Sequence, residues 1–361
     1  MRVAKEYKIA IVGGDGIGPE VTEEGMKVLR RAGEIYGFSL NETVYPWSTE
    51  HYLETGVSMP DSVFDEYLQQ DSVLLGAIGD PRVPVGMLER AIIGGLRWTL
   101  DLYINLRPIK LYAEHLCPLK DKAPDQVDML FVRENTEGLY SGVGGFFKKN
   151  TPDEIAVVEG IYTRKGAERA IRYAYEACRA RDQKKKLTII TKANAVPAHR
   201  LYLRTFEEVG KEYPDIQQDE AYVDAASMWM VKNPEDFDTV ITTNMFGDIL
   251  TDLGAMLQGG MGIAASANIH PGRVSMFEPI HGSMPKAAGK GTASPVAAIA
   301  AVWMMLDFLG EKQAAADLEN TVADLLRDRR IPKVTSKKDP GDLSTSEVGI
   351  LVVEELTKRA G

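Results

Sequence analysis

Cysteine is scarce in this 361-residue chain: Cys117 and Cys178 are the only two, and they lie far apart. They form no metal-ligand spacing and fit ordinary thiols in a reducing compartment. Long apolar runs are missing, so no segment reads as a membrane-crossing helix. The start, Met1-Arg2-Val3-Ala4-Lys5-Glu6, lacks the apolar stretch of a secretory signal. Together these absences predict a cytoplasmic protein. Positive charge is also short: 42 Lys and Arg face 52 Asp and Glu, a net of −10. That argues against nucleic acid or an acidic membrane surface as a partner, though not against a local basic pocket for a small acid. Heptads, repeats and low-complexity tracts are absent too. What remains, 44% hydrophobic and 26% charged residues, is the make-up of a globular protein of one large or two medium domains.

The chain is best read outward from Thr242-Thr243-Asn244-Met245-Phe246-Gly247-Asp248-Ile249-Leu250-Thr251-Asp252-Leu253-Gly254. The apolar run Thr239-Val240-Ile241 before it reads as a buried strand, and the pattern then turns helical. Asp248 and Asp252 are four apart, so on a helix they share a face, one turn above the other. Stacked carboxylates repel unless a divalent cation sits between them, and oxygen ligands suit Mg²⁺ or Mn²⁺. The plainer reading is an acidic first turn at the positive end of the helix dipole. Gly254, Gly259, Gly260 and Gly262 follow. They predict the end of the helix and a close approach of backbone to a neighbour.

From the start of the chain, Lys8 to Val12 reads as a strand entering Gly13-Gly14-Asp15-Gly16-Ile17-Gly18-Pro19-Glu20. Pro19 suits a first helical turn, and a Gly-rich strand-to-helix turn can cradle phosphate. The glycines at 14, 16 and 18 alternate, however, so the Rossmann spacing G-x-G-x-x-G is not met. A second strand and loop cover Asp71 to Pro81. Strands alternating with helices predict an α/β domain with a largely parallel sheet. Arg97, Arg107 and Arg133 each sit in apolar surroundings. Singly, such an arginine is usually snorkelling or ion-paired; as a set, three guanidiniums could grip a di- or tricarboxylic acid. Further on, Phe146 to Lys149 and Ile155 to Thr163 read as two strands of an antiparallel arm. A helix follows over Thr163 to Ala180, then a strand over Leu187 to Ile190 that runs into Lys192. The segment Ala221 to Ala226 carries Asp224. A polar loop spans Pro332 to Thr345, ahead of an amphipathic last helix.

In this order, several segments resemble the β-decarboxylating dehydrogenases, the isocitrate/isopropylmalate family. They are Gly13 to Glu20, Asn105-Leu106-Arg107-Pro108, Val132-Arg133-Glu134-Asn135-Thr136-Glu137-Gly138-Leu139-Tyr140, Thr191-Lys192-Ala193-Asn194, Val223-Asp224-Ala225-Ala226, Asn244 to Asp252 and Glu278-Pro279-Ile280-His281-Gly282-Ser283. The resemblance covers most of the chain and is strongest to 3-isopropylmalate dehydrogenases. It implies a two-domain α/β, isopropylmalate-dehydrogenase-like fold that is not a Rossmann fold. The first, discontinuous domain would be residues 1–102 and 257–361 and bind the cofactor. The second, 103–256, would carry the metal and substrate site, the arm and a homodimer interface. The active site would lie in a cleft and borrow residues from the partner.

The resemblance further implies roles. Arg97, Arg107 and Arg133 would hold the malate carboxylates, with Ile93 and Gly94 on the substrate wall. Asp248 and Asp252, with Asp224 of the second chain, would bind Mg²⁺ or Mn²⁺. Lys192 of the second chain would be the base, directly or through water, and Tyr140 the acid; Lys192, among three arginines and a metal, would lose its proton readily. Gly76, Ala77, Ile78, Glu278, His281, Gly282, Ser283, Met284, Lys286 and Ser294 would line the NAD or NADP site. Lys286 stands where NAD-specific members carry an aspartate, which leans the choice toward NADP. Ala287 and Ser294 depart from a tyrosine and an asparagine, and Thr191 from an aspartate. Gly94 stands where isopropylmalate enzymes tend to show leucine, which predicts room for a larger or more polar substituent. The implied reaction is oxidative decarboxylation of a 3-substituted malate, with 3-isopropylmalate leading, as in leucine synthesis. Isocitrate, homoisocitrate, tartrate/D-malate or a malate of a specialised pathway are the alternatives. A metal-dependent phosphoryl-transfer enzyme is the rival class, since it too could use the Asp pair and the Gly loops.

Overall fold

The computed structural model describes residues 5–335, 339 and 341–361. Met1 to Ala4, and part of the polar loop expected over Pro332 to Thr345, lie outside them. In chain order the strands are β1 (Lys5–Gly14), β2 (Phe38–Tyr45), β3 (Ser72–Ala77), β4 (Ile104–Lys110), β5 (Asp128–Glu134), β6 (Gly138–Phe147), β7 (Ile155–Ile161), β8 (Lys186–Thr191), β9 (Gln217–Tyr222), β10 (Thr239–Thr242), β11 (Ala265–Ile269) and β12 (Ser275–Pro279). The helices are α1 (Gly18–Tyr36), α2 (Thr49–Thr55), α3 (Phe64–Tyr67), α4 (Gly95–Thr99), α5 (Arg164–Arg181), α6 (Arg200–Gly210), α7 (Val223–Lys232), α8 (Asn244–Leu257), α9 (Val296–Phe308), α10 (Lys312–Arg327) and α11 (Thr345–Ala360). A π-helical segment, Glu89–Gly94, leads into α4.

The chain forms two compact units. One holds Met1–Leu102, Lys110–Val127 and Ala255–Gly361; the other holds Tyr103–Ile109 and Asp128–Gly254. Lys110–Val127, expected in the second domain, belongs to the first unit. That unit's strands run in the order β2-β1-β3-β12-β11, parallel except for β11, which is antiparallel to β12. The order is not that of a Rossmann sheet. The inner strands are largely buried and mostly apolar because helices cover them. The clearest cover is α9, Val-Ala-Ala-Ile-Ala-Ala-Val-Trp-Met-Met-Leu-Asp-Phe, which is apolar on nearly all sides and buried through most of its length. In the second unit the order is β4-β5-β10-β8-β9. Its known ladders from β5 outward are parallel, with α5 against β5 and β10. β6 and β7 stand apart as a two-stranded antiparallel ribbon.

The loop after β1 is held by one buried carboxylate. Asp15 accepts from the Thr49 N–H at 2.6 Å, the Thr49 hydroxyl at 2.9 Å and the Gly79 N–H at 2.8 Å. Glycine is needed beside it: a Cβ on Gly14, whose φ is +75°, would lie 1.9 Å from the Ala77 carbonyl oxygen. We expect Asp15→Ala to leave two buried N–H groups unpaired and to cost about 2–4 kcal/mol. The check is the urea midpoint of the variant at unchanged slope; an unshifted midpoint overturns this account of the loop.

Candidate active site

Asp248 and Asp252 do not belong to the first turn of α8, which begins at Asn244 and has no acid there. The helix dipole therefore does not explain them, and their partners do. Arg133, on β5, is 1% exposed. Its Nε and Nη2 donate to Asn244 Oδ1 at 3.0 and 2.7 Å, and Nη1 donates to Asp248 Oδ1. Arg107, on β4, donates from Nε to Asn105 Oδ1 at 2.8 Å and from Nη1 to Thr251 Oγ1 at 2.7 Å. Its guanidinium also lies 3.4 Å from Asp248 Oδ1 and 3.5 Å from Asp252 Oδ1. Tyr140, at the start of β6, donates to Asp248 Oδ2 at 3.2 Å, with its ring 5.9 Å from the Arg133 guanidinium.

The charges in this cluster cancel: two guanidiniums face two carboxylates. The carboxylates are nonetheless unlike. Burial pushes Asp248 up, but Arg133, Arg107 and the bonds from Arg133 and Tyr140 outweigh it and hold the group below the ordinary value. Burial also raises Asp252; Arg107 pulls back, the charge of Asp248 pushes further, and the group ends above the ordinary value. Burial and the Asp248 charge together raise Tyr140 as well, so the phenol keeps its proton.

The sequence reading singled out Asp248 and Asp252 but gave no role to Asn244 and Thr251, which complete this seat. Asn244, Asp248, Thr251 and Asp252 recur at helical spacing and share one face of α8; that period was the available signal. Gly247 is the other. A Cβ there would lie 2.5 Å from Arg133 Cγ and 2.7 Å from its Cβ, so the arginine lies directly across the glycine. The expected ending of the helix is also visible, with Gly259 and Gly260 at φ +123° and +110° just beyond Leu257. Gly254 remains inside α8, where its missing side chain admits Ile109.

Within one chain Lys192 pairs with Asp224. Its Nζ lies 2.7 Å from Asp224 Oδ1. That bond is the first cause holding the Asp224 carboxyl below the usual range. Among the described residues, no group of three or more His, Cys, Asp or Glu side chains is arranged to hold a metal ion. One chain by itself thus offers Asp248 and Asp252 as a pair, with Asp224 elsewhere.

In the first unit, Arg97 donates from Nη2 to Glu278 Oε1 at 2.8 Å, while its buried Nε has no hydrogen-bond partner. Glu278 also accepts from Asn268 Nδ2 at 2.8 Å, so its carboxylate is engaged within the protein. The expected space beside Gly94 is filled. A Cβ there would lie 2.7 Å from Cζ3 of Trp98, and the Arg90 guanidinium stands 5.4 Å from that indole. Ile93 packs against the core of this unit. Gly76, Ala77 and Ser283 meet the turn after β1. Asp15 N–H donates to Ala77 O at 2.7 Å and Ile17 N–H to Ser283 O at 2.8 Å. A Cβ on Gly76 would lie 2.4 Å from the Gly13 carbonyl oxygen. Ile78 is buried in the core cluster. His281 Nδ1 lies 2.7 Å from the Gly282 carbonyl oxygen. Its Nε2 is buried and unpartnered, and burial keeps the ring below its ordinary value. Met284 adopts φ +42° ahead of an exposed Lys286 on the short 3-10 turn Pro285–Ala287. Ser294 Oγ accepts from Val296 N–H at 3.4 Å, at the head of α9.

A family model for isocitrate/isopropylmalate dehydrogenase matches residues 8–352. The chain belongs to this family. It is therefore an oxidoreductase of the β-decarboxylating dehydrogenase class, and its fold is the isopropylmalate-dehydrogenase-like one. A protein named 3-isopropylmalate dehydrogenase from Thermobifida fusca is 45% identical over 359 residues, 99% of each chain. One of the same name from Frankia casuarinae is 46% identical over 325 residues, 89% of this chain and 93% of the other. Among solved structures, isocitrate dehydrogenase from Methylococcus capsulatus superposes with a TM-score of 0.86 at 37% identity, covering 97% of this chain and 99% of that one. These relatives lend no support to the phosphoryl-transfer alternative. Among the described residues, no helix is long and apolar enough to cross a membrane.

Gly247→Ala tests the seat of Arg133. The added methyl forces the guanidinium off Asn244 and Asp248. We expect KM for the malate substrate to rise about tenfold or more with the fold intact. Circular dichroism and steady-state kinetics decide it, and an unchanged KM removes Gly247 from the site.

Proposed function

We propose that this enzyme oxidises and decarboxylates 3-isopropylmalate to 2-oxoisocaproate in the cytoplasm, in the manner of leucine-type chain extension. The observation that carries this reading is the neutral cluster of Arg107, Arg133, Asp248 and Asp252 with Tyr140 bonded into it. A dianionic malate and a dication add to such a cluster without leaving net charge behind. The relatives' names favour the isopropyl substituent, and so does an apolar wall. That wall, in our reading, is the indole of Trp98 over Gly94 in place of leucine side chains.

Asp248 and Asp252 fit a hard divalent cation, Mg²⁺ or Mn²⁺: both are oxygen donors on one helix face, and Asp252 is left short of compensating charge. Two carboxylates are fewer ligands than such an ion takes. We assign the next to Asp224 of a second chain, whose Lys192 comes with it. A homodimer has its surface ready. Phe146 and Phe147 of the β6–β7 ribbon and Met228 and Trp229 of α7 are exposed, and a lone two-stranded ribbon is marginal in water. The cofactor is assigned to the Gly14–Gly18 turn, residues 76–78 and the 281–286 loop, where the unpartnered His281 Nε2 awaits a polar group. Lys286 leans this choice toward NADP, with NAD also used.

Arg97, Arg107 and Arg133 bind and orient the substrate carboxylates. Lys192 takes the C2 hydroxyl proton as the C2 hydride departs. When bound, the cation stabilises charge on the C2 oxygen and the nicotinamide accepts the hydride. The carbon–carbon bond to the C3 carboxylate then breaks, CO₂ leaves, and its electron pair forms the enolate. Tyr140, kept protonated by its surroundings, delivers a proton to C3.

The test is reduced-cofactor absorbance with 3-isopropylmalate, isocitrate, homoisocitrate, tartrate and D-malate, each with NAD and NADP. We expect the highest kcat/KM with 3-isopropylmalate, none in excess chelator, and a shift toward NAD in Lys286→Asp that shrinks with salt. Turnover of another malate alone overturns the substrate; chelator-resistant turnover overturns the metal.

Shared sites are tested by mixing Lys192→Ala and Asp248→Asn chains. Each is expected to be inactive alone, and mixed dimers are expected to regain activity through one complete site. Verified mixed dimers without activity refute the sharing.

A further inference from the structure

Lys192 is tied at both ends of its peptide unit. Its carbonyl accepts from the N–H groups of Ala195 at 2.9 Å and Val196 at 2.7 Å. Its own N–H donates to Nδ1 of His199 at 3.1 Å. His199 is 2% exposed, and burial holds its imidazole down at about 4. The ring is neutral at ordinary pH. Because Nδ1 accepts, the proton sits on Nε2, which is buried and unpartnered. In place of a polar neighbour the ring meets two aromatics nearly edge to face. Tyr162 lies 4.9 Å away at 78° and Phe246 5.3 Å away at 84°. A buried imidazole kept with an orphaned N–H calls for a reason. Two of its three contacts supply it. One is the turn carrying Lys192; the other, Phe246, lies in the first turn of α8, two residues before Asp248.

We propose that His199 is a positioning residue: Nδ1 fixes the backbone direction of Lys192, and the ring seats that turn against the head of the aspartate helix. The proposal rests on reading Lys192 as the base. If Lys192 serves the second chain's site while Asp248 serves its own, this ring joins parts of two active sites through a single chain.

The test compares His199→Asn, whose Oδ1 overlays Nδ1, with His199→Gln, whose terminal amide overlays Nε2 instead. His199→Phe keeps an aromatic ring and removes the acceptor. Kinetics are measured on 3-isopropylmalate with Mn²⁺, alongside thermal unfolding. In Gln and Phe variants kcat is expected to fall about tenfold or more, as for a displaced catalytic group. KM is expected to stay within about twofold, and the Asn variant to recover most of kcat. Equal kcat in Asn and Gln variants, or losses that follow only the folded fraction, overturn the proposal. Lys192→Ala is the control: if it remains active, the reading of the base fails rather than that of His199.

Discussion

Two buried arginines that cannot lose their charge govern the candidate site. Arg107 and Arg133 are carried on neighbouring strands, and a guanidinium in such a place is stable only with acids and carbonyl-type acceptors beside it. One face of α8 provides them: Asn244, Asp248, Thr251 and Asp252. The strand order, the start of α8 and the absence of a side chain at Gly247 all follow from bringing these groups together. The same balance makes the site receptive. In the proposed mechanism, a cation that draws on Asp248 would free guanidinium donors for an incoming carboxylate.

Much of this was legible in the sequence. Period gave the α8 face and the alternating strands and helices. The alternating glycines at 14, 16 and 18 excluded the Rossmann turn, and a sheet of a different order is what they introduce. The residues that escaped did so for physical reasons. Gly94 looked like an empty place because a linear reading does not show that a residue one helical turn later, Trp98, lays its ring over it. The pairing of Lys192 with Asp224 within the chain depends on how β8 and β9 lie side by side. Glu278 and Ser294 were read as cofactor contacts, and the fold gives them further work, binding Arg97 and heading α9. The break in the second domain at Lys110–Val127 has no compositional marker.

The fold also explains why the family's chemistry sits on these elements. Strand ends in each unit open onto loops that carry the polar residues, while the apolar runs behind them are sealed by helices such as α9. Strands therefore hold Arg107 and Arg133, and β8 leads into the Lys192 turn. The π-helical segment before Arg97 is the exception. Its wider hydrogen-bonding ring places an additional residue in the turn that leads to Trp98.

The β6–β7 ribbon has a consequence for how the enzyme forms. Its residues from Ile155 to Ile161 are all exposed, so within one chain the ribbon has almost no apolar burial with which to offset the entropy of ordering it. In the proposed homodimer that order would come from contact with a second chain. Recovery of activity from denaturant would then depend on collision frequency between chains as well as on the folding of each, and the native-state lifetime on how dilute the enzyme is.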